Sequence, residues 1–526
     1  MEIPAQRPKL SDGGDSGSED RLSDLPEDLR LRILADTRDV AVAARTSVLS
    51  SRWRRLWRLL PGLIFPFPSD PHRVHLALQS HEAPALCLLE AGVLDGTPDS
   101  VAPWLLNVAP RLFGRLSLTS RAAQDGSEED MADERGAFEL PCCQNAVSIR
   151  LELGPLGVSM PPLGVFARLN ELSLVCVQLH GPCMLGDLVS SPRCPVLRKL
   201  IIKQASGLGN LAIHSDSLLG ICLKDVHLHP ADALGLGHVT IESKSLLQIE
   251  LTCVHSLQQL TVTAPALERI YVDSCFANYR ATASRHNQPV ANIYAPRLKS
   301  LYWHDAYDPS STQFGNIENL ETLGAYFFRV YGRDNYAPNN YVLRLLRRFQ
   351  LILSLRFLLL YQPDITDQQF LMEDIARLPN IARMSLGICP QGHSFGASVF
   401  HLLRMSTGLK ALWLALVGST SHPEVQPVCP SGCSCDHPSN WKTEELALNL
   451  LEEVEIHDIR GTEHEAALIK RLFDWATVLK KMTVTFHRSV NEREAKEFFQ
   501  MLQSFSRPEI CMKGPCFAYC SLSNVS

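Results

Sequence analysis

Apolar residues recur along most of the chain with the spacing L-x-x-L-x-L, in which each L stands for any apolar residue. Of the thirteen intervals between successive copies, ten fall between 21 and 31 residues. This spacing is close to the period of leucine-rich repeats, which is about 20–29 residues. The copies begin at Phe113, Ala146, Leu169, Leu197, Leu218, Leu246, Leu267, Leu298, Leu320, Leu355, Ile381, Leu409, Leu451 and Leu479.

Within each copy, the last two apolar positions are separated by a residue of the opposite face, which is the period-two pattern of a half-buried strand. The pattern therefore predicts short strands that stack side by side in chain order, with a helix or an irregular segment returning the chain between them. Scattered amphipathic helices are the alternative, because L-x-x-L also fits one face of a helix. The β-branched residues Ile201, Ile202 and Val272 favour strands.

The N-terminal end has a helical pattern instead. Residues 21–65 predict three short helices, the first beginning near Pro26, the second over 40–49 and the third over 51–60. The second and third of these helices contain five arginines with no acidic residue between them. These arginines form either a solvated helix face or a docking face for an acidic partner. These arginines are Arg45, Arg52, Arg54, Arg55 and Arg58.

This segment closely resembles the F-box of plant F-box proteins. The resemblance rests on the Leu25-Pro26 pair, the first helix and the string RTSVLS-x-RWR-x-LW over 45–57, although 35–39 lack the apolar-Leu-Pro element that many relatives carry. It implies a three-helix bundle that docks on a Skp-family adaptor and, through it, on a cullin/RING ligase. By match to the motif, the adaptor contacts are Leu25, Pro26, Leu29, Ile33, Leu34, Val48 and Trp53.

Residues 446–487 read as strand, turn, helix and strand. Val454 and Ile456 fit the first strand, and Thr462 with Glu465 three residues later fits a capping box at the start of a helix. Both strands occupy repeat positions, so we expect this segment to cap the solenoid. It strongly resembles the FBD domain of plant F-box/leucine-rich-repeat proteins.

Together these patterns predict an α/β fold in which a three-helix F-box precedes an irregular leucine-rich-repeat solenoid capped by an FBD domain. The expected parts are a disordered tail over 1–20, the F-box over 21–66, the solenoid over 67–440 and the FBD domain with a C-terminal tail over 441–526. A solvated acidic loop is expected over 122–136 within the solenoid.

Composition narrows the class of partner. Leucine supplies 80 of the 526 residues, which agrees with a repeat array. The net charge of −6 argues against a nucleic-acid binder. No apolar run reaches the roughly 18–20 residues of a membrane span, and the first residues lack the apolar core of a signal peptide. We therefore expect a cytoplasmic or nuclear protein whose 16 cysteines are reduced.

Two motifs suggest chemistry. Cys429, Cys433, Cys435 and His437 have donor types that zinc prefers, but they lack paired C-x2-C knuckles, and free thiols in a loop are the favoured interpretation. We therefore expect no cofactor. Ser394 lies in a G-x-S-x-G sequence, yet three residues separate this sequence from the preceding strand and no oxyanion loop is evident. A serine hydrolase is thus the weakest of the functions considered.

A binding surface is the stronger candidate. Residues between the apolar strand positions point to the other face of the sheet, which would be concave, and aromatic residues and arginine are enriched at protein interfaces. Packing against return loops is the alternative, and an error of one residue in register would reverse the assignment. The predicted target-binding residues are Arg269, Tyr271, Tyr302, His304, Tyr326, Tyr361, Arg383 and Trp413.

The sequence therefore predicts a non-catalytic substrate receptor of an SCF-type ubiquitin-protein ligase. The F-box would hold the adaptor, and the repeats would hold an unknown target protein. A scaffold that has the F-box but does not drive ubiquitination is the first alternative, and a hydrolase using Ser394 is the second.

Overall fold

A computed structural model describes residues 25–122, 136–181, 184–228, 237–255, 257–276, 290–418, 433–436 and 441–517. The predicted tail over 1–20 and nearly all of the acidic loop over 122–136 lie outside the described residues. The chain divides between Gly157 and Val158 into two compact units. The α/β class is confirmed, because both units combine helices with parallel strands.

The first unit opens with two short helices, α1 (Glu27–Asp36) and α2 (Val40–Arg45). The Asp39 side chain accepts a hydrogen bond from the N–H of Ala41 at 2.7 Å and so caps α2. Only a 3-10 turn over Leu56–Leu59 stands where the third α-helix was predicted. Arginines three and four residues apart, such as 52 with 55 and 54 with 58, repel one another on a helix and disfavour it.

The rest of the first unit alternates strands with helices. Strands β1, β2, β3 and β5 lie side by side in parallel, and the predicted F-box boundary at residue 66 falls inside β1. The Asp70 side chain caps α3, and a capping box of Thr97 and Ser100 begins α4. The elements are β1 (Gly62–Ser69), α3 (Pro71–Ser80), β2 (Leu86–Leu94), α4 (Pro98–Val108), β3 (Leu112–Arg121), β4 (Ala137–Glu139) and β5 (Ser148–Glu152).

The second unit is built on one large parallel sheet, here called the main sheet. Its strands pair in chain order. A short strand, β6 (Gly157–Ser159), includes the two residues between which the chain divides into the two units. The main-sheet strands are β7 (Glu171–His180), β8 (Lys199–Leu208), β10 (Gly220–Leu228), β12 (Gln248–His255), β14 (Arg269–Asp273), β16 (Ser300–His304), β18 (Thr322–Arg329), β20 (Ser354–Leu360), β22 (Arg383–Cys389), β23 (Ala411–Leu416), β24 (Glu453–Ile459), β25 (Lys481–Phe486) and β26 (Cys511–Phe517).

Strand register explains the repeated apolar spacing. Equivalent positions such as Leu200, Ile270 and Leu412 form one buried row across the main sheet, and the positions two residues later form a second. The copy assigned to Leu355 is an exception, because Leu355 itself occupies the first buried row, beside Leu323. The true start of that copy is therefore three residues earlier, at Ile352, which is also buried.

The return segments differ from expectation in the middle of the unit. After five successive main-sheet strands the chain returns through a further strand instead of a helix, and these strands form a second, smaller parallel sheet. Helices connect successive main-sheet strands mainly in the C-terminal part of the second unit. The smaller sheet contains β9 (Leu211–His214), β11 (Gly237–Glu242), β13 (Leu257–Thr263), β15 (Val290–Tyr294) and β17 (Thr312–Phe314). The other elements are α5 (Leu185–Val189), β19 (Tyr331–Gly332), α6 (Ala337–Arg348), β21 (Gln369–Phe370), α7 (Gly396–Arg404), α8 (Glu463–Trp475) and α9 (Glu492–Phe505).

The strand-helix-strand order predicted for 446–487 is present as β24, α8 and β25. The Thr462 side chain accepts a hydrogen bond from the N–H of Glu465 at 3.3 Å, and the Glu465 carboxylate accepts from the N–H of Thr462 at 2.8 Å. This reciprocal capping box was predicted from the sequence. Burial raises the pKa of the Glu465 carboxyl, although these N–H donors act in the opposite direction.

A buried acid ties two neighbouring repeats together. The Asp305 carboxylate, just after β16, accepts hydrogen bonds from the backbone N–H groups of Cys275 and Phe276, just after β14, and from that of Ala306. Burial nevertheless outweighs these donors and raises the pKa of Asp305 to about 6. A carboxyl group with a raised pKa binds its proton more tightly in the folded chain than in the unfolded one.

Replacing Asp305 by asparagine removes this buried charge at nearly constant size. The folded pKa is about 6 against an ordinary value of 3.8, so wild-type stability from this group is fully present below the ordinary value and is lost as the pH rises through the folded one. Relative to Asp305→Asn, the wild-type protein should gain roughly 2 kcal/mol between pH 6.5 and pH 4. Urea unfolding of both proteins at several pH values measures this difference, and a constant difference would contradict the assignment.

Candidate functional site

The N-terminal segment exposes an unusual density of apolar side chains, which we call the docking patch: Leu29, Ile33, Val42, Val48 and Leu49. Leu29 and Ile33 are four residues apart on α1 and therefore share one helix face. Val48 is 87% exposed in the 3-10 turn that follows α2. Clustered exposed apolar residues are a mark of interaction sites in proteins.

Two of the predicted adaptor contacts are buried and do not belong to the docking patch. Leu34 and Trp53 are only 1% and 3% exposed, so they form the core of this segment instead of its surface. Pro26 is exposed and Leu25 is half-buried beside the start of α1. The motif match cannot separate residues that hold the segment together from residues that would contact a partner.

Several arginine residues lie close to the docking patch along the sequence. Arg45, Arg54 and Arg55 are exposed, which suits the predicted docking of an acidic partner. Arg58 instead pairs with Glu82, with 3.0 Å between Nη1 and Oε1. One residue of the basic run is therefore engaged within the unit.

The outward side of the main sheet carries an aromatic cluster, which we call the open face. The Tyr271 ring centroid lies 6.0 Å from that of Tyr302 and 5.1 Å from that of His304. Tyr271 and Tyr302 are opposed in register on β14 and β16, which is why the rings meet. All three side chains are half-buried, so their edges remain accessible.

Hydrogen bonding orients this cluster. The Tyr271 hydroxyl donates to the Asp273 carboxylate at 3.1 Å, and the Ser274 hydroxyl donates to the other carboxylate oxygen at 2.8 Å. Burial and the Asp273 charge raise the pKa of Tyr271, so its hydroxyl stays protonated at neutral pH. Burial lowers the pKa of His304, and Asp273 opposes that shift. The cluster thus presents neutral rings beside one carboxylate.

A glycine makes room for the Tyr302 ring. Gly324 occupies the position opposite Tyr302 on β18, and a Cβ atom there would lie 2.3 Å from Cδ1 of the ring. The next strand places the Arg356 guanidinium 5.9 Å from the same ring centroid. Tyr302 therefore lies across the neighbouring strand and is held there by a cation–π contact.

The remaining predicted target-binding residues fall into two groups. Arg269 and Arg383 are exposed, and each is the first residue of its strand. Trp413 is half-buried on the open face, with its ring 5.3 Å from that of His457. Tyr326 is half-buried and lies within an irregularity in the register between β18 and β20. Tyr361 is buried beyond β20, where its hydroxyl hydrogen-bonds Ser398 at 2.7 Å.

Sequence reasoning missed Arg356 and His457 on the open face. Both have a signal in the repeat pattern, because Arg356 shares a row with Tyr302 and His457 shares a row with His304. The three-residue error in the copy at Leu355 hid Arg356 and led to Tyr361 instead.

The two chemical motifs have different outcomes. Ser394 is 1% exposed, and its hydroxyl has no hydrogen-bond partner among the described residues, so the hydrolase interpretation lacks an accessible nucleophile. Cys433 and Cys435 lie near His393, a residue that the zinc motif did not include. Cys429 and His437, the other two members of that motif, lie outside the described residues.

No family model matches the chain. One F-box/FBD/LRR-repeat protein of Arabidopsis thaliana is 37% identical over 132 residues, which are 24% of this chain and 28% of that protein. A second is 27% identical over 333 residues (59% and 56%), and a third is 32% identical over 222 residues (40% and 47%). The chain is related to the plant F-box/FBD/LRR-repeat proteins.

This similarity confirms the predicted resemblance to plant F-box/FBD/LRR-repeat proteins. The chain spans from about a quarter to just over half of the length of these three F-box/FBD/LRR-repeat proteins, at 28%, 56% and 47%. Within the part of the chain that the structure describes, no helix is long and apolar enough to cross a lipid bilayer.

Gly324→Ala tests the packing of the open face. The added methyl group must displace the Tyr302 ring, and we expect a loss of about 1–3 kcal/mol in the free energy of unfolding. Gly418→Ala is the matched control, because a Cβ atom there meets no described atom within 4 Å. Denaturant unfolding compares the two variants, and equal stabilities would show that the Tyr302 ring does not occupy this place.

Proposed function

We propose that the chain is the substrate-recognition subunit of an SCF-type ubiquitin-protein ligase. The observation that carries this proposal is the docking patch, which lies in the segment that resembles an F-box. Val48 and Leu49 are adjacent and largely exposed, and burying a side chain of this kind is worth about 1.5–3 kcal/mol. An adaptor that covers them supplies this burial.

The same proposal assigns the remaining parts. The described residues between 25 and 66 act as the F-box, those between 67 and 440 act as a leucine-rich-repeat solenoid, and 441–517 act as its FBD cap. The continuation of the main sheet through β23, β24 and β25 supports the capping role, because these strands pair in the same parallel register as the others.

Proximity is the proposed mechanism. The docking patch binds a Skp-family adaptor and thereby a cullin/RING scaffold, while the open face binds a target protein. Holding the target near the charged ubiquitin-conjugating enzyme raises the effective concentration of its lysines at the thioester. The chain itself carries no reacting group in this scheme, and the site of action is the cytoplasm or nucleus.

Aromatic and arginine side chains on the open face support target binding. Tyr271, Tyr302, Arg356 and Trp413 have the chemistry of interface hot spots, which are enriched in tryptophan, tyrosine and arginine. The ring cluster is pre-organised by its own contacts, so little conformational entropy is lost when a partner covers it.

The adaptor contact is tested by truncating exposed residues only. We expect Leu29→Ala combined with Val48→Ala and Leu49→Ala to weaken binding of a purified Skp-family adaptor by roughly 100-fold, at about 1 kcal/mol for each side chain. Titration calorimetry with the full chain measures the dissociation constant. The thermal midpoint should change little, because all three side chains are exposed.

Leu351→Ala is the control for this triple variant, since Leu351 is 89% exposed and belongs to the second unit. It should bind the adaptor as the wild-type chain does. Wild-type affinity in the triple variant, or no binding by the intact chain, would overturn the adaptor assignment.

The open face is tested separately. In cells with inhibited proteasomes, proximity labelling should recover one set of proteins with the wild-type chain, and Tyr302→Ala combined with Trp413→Ala should lose it while adaptor binding is retained. Tyr294→Ala is the control, because Tyr294 is an exposed tyrosine on β15 of the smaller sheet. Loss of the set in the control, or its retention in the double variant, would contradict the open face as the target site.

The same labelling discriminates the scaffold alternative. If the adaptor binds and labelled partners are recovered, but none of them accumulates when proteasomes are inhibited, the chain is a binding scaffold and does not drive degradation.

A further inference from the structure

Two thiols and one imidazole converge beside the turn that precedes α7. One ligand atom of each of His393, Cys433 and Cys435 lies within 4.8 Å of the other two. The Cys433 sulfur lies 3.5 Å from Nδ1 of His393. His393 and Cys435 are buried, at 4% and 1% exposure, and Cys433 is half-buried.

The separation of the donors fits tetrahedral zinc. Bond lengths of about 2.3 Å to sulfur and 2.0–2.1 Å to nitrogen, at a tetrahedral angle, place neighbouring ligand atoms roughly 3.6 Å apart. The Cys433–His393 distance has this value without any adjustment, and only a small movement is needed to bring the second sulfur to it.

The imidazole has the tautomer that a metal requires. Nε2 of His393 lies 3.0 Å from the backbone oxygen of Gln362 and 3.3 Å from that of Pro363, so Nε2 carries the proton and donates it. Nδ1, on the side of Cys433, is then the nitrogen with the lone pair. A metal-binding histidine typically donates its other N–H to a backbone carbonyl or carboxylate in this way.

The surroundings hold His393 in place. The ring of buried Tyr361 stacks on that of His393 at 6.2 Å with 22° between the planes, and its hydroxyl hydrogen-bonds Ser398 on α7. Trp441, the first described residue after 437–440, packs on Gly396, where a Cβ atom would lie only 2.2 Å from the indole ring. The chain is thus anchored to the start of α7 close to both cysteines.

From these contacts we infer that His393, Cys433 and Cys435 supply three ligands of a structural zinc site that clips the segment containing both cysteines onto the start of α7. Two thiolates would balance the charge of the metal while the imidazole remains neutral. This site is independent of adaptor binding, which depends on the first unit. Failure of the zinc test would therefore leave the proposed ligase function untouched.

The test uses the full chain, reduced with a phosphine and dialysed against micromolar Zn²⁺. We expect about one equivalent of zinc by elemental mass spectrometry, and with Co²⁺ in its place an absorption band for sulfur-to-cobalt charge transfer. Cys433→Ser and Cys435→Ser should each lower the retained metal at least 10-fold and weaken the charge-transfer band. Cys389→Ser should change neither, because Cys389 is buried four residues from His393 but lies outside the cluster.

A chelator added to the wild-type chain gives a second readout that needs no substitution. Removing the metal should reversibly lower the thermal midpoint and accelerate amide hydrogen exchange over 391–396. A wild-type chain that binds no zinc when reduced, or zinc content that is equal in all four proteins, would overturn the site. A loss of two hydrogens in mass that requires both Cys433 and Cys435, without metal binding when reduced, would identify a disulfide instead.

Discussion

Each strand of the main sheet contributes to two apolar rows that are buried only when neighbouring strands and return segments pack against it, and this constraint governs the second unit. No strand of five to ten residues buries Leu301 and Trp303, or their equivalents, without the next strand in register beside it. The register in turn fixes which side chains reach the outward face. Tyr271 and Tyr302 meet because β14 and β16 are paired without offset, and Asp305 can cap the chain after β14 for the same reason.

Much of this arrangement could be predicted from the sequence, because burial leaves a period in it. The two buried rows, the strand order and the capping box at Thr462 all have local signatures. The failures are equally physical. Six leucines in ten residues around Leu355 allowed the repeat to be placed three residues late, and apolar identity alone cannot choose between the two registers. The strand returns after β8 to β16 were missed because a return was expected to be a helix or an irregular segment, although β13 carries the same apolar spacing at Leu257, Leu260 and Val262.

The candidate sites were less predictable than the fold. A motif match treats Leu34 and Val48 alike, yet one is in the core and the other is in water, and only packing distinguishes them. Tyr361 was misplaced because the repeat at Leu355 was assigned three residues late. His393 had no signal linking it to Cys433, because forty residues separate them and the fold alone brings them together.

The central claim is that one end of this chain holds an adaptor while the outward face of the main sheet holds a target. Cross-linking mass spectrometry on the assembled adaptor, full chain and captured target tests it most directly. We predict adaptor cross-links confined to 25–60 and target cross-links centred on β14 to β24. Adaptor cross-links on the main sheet, or target cross-links spread evenly over the second unit, would contradict it.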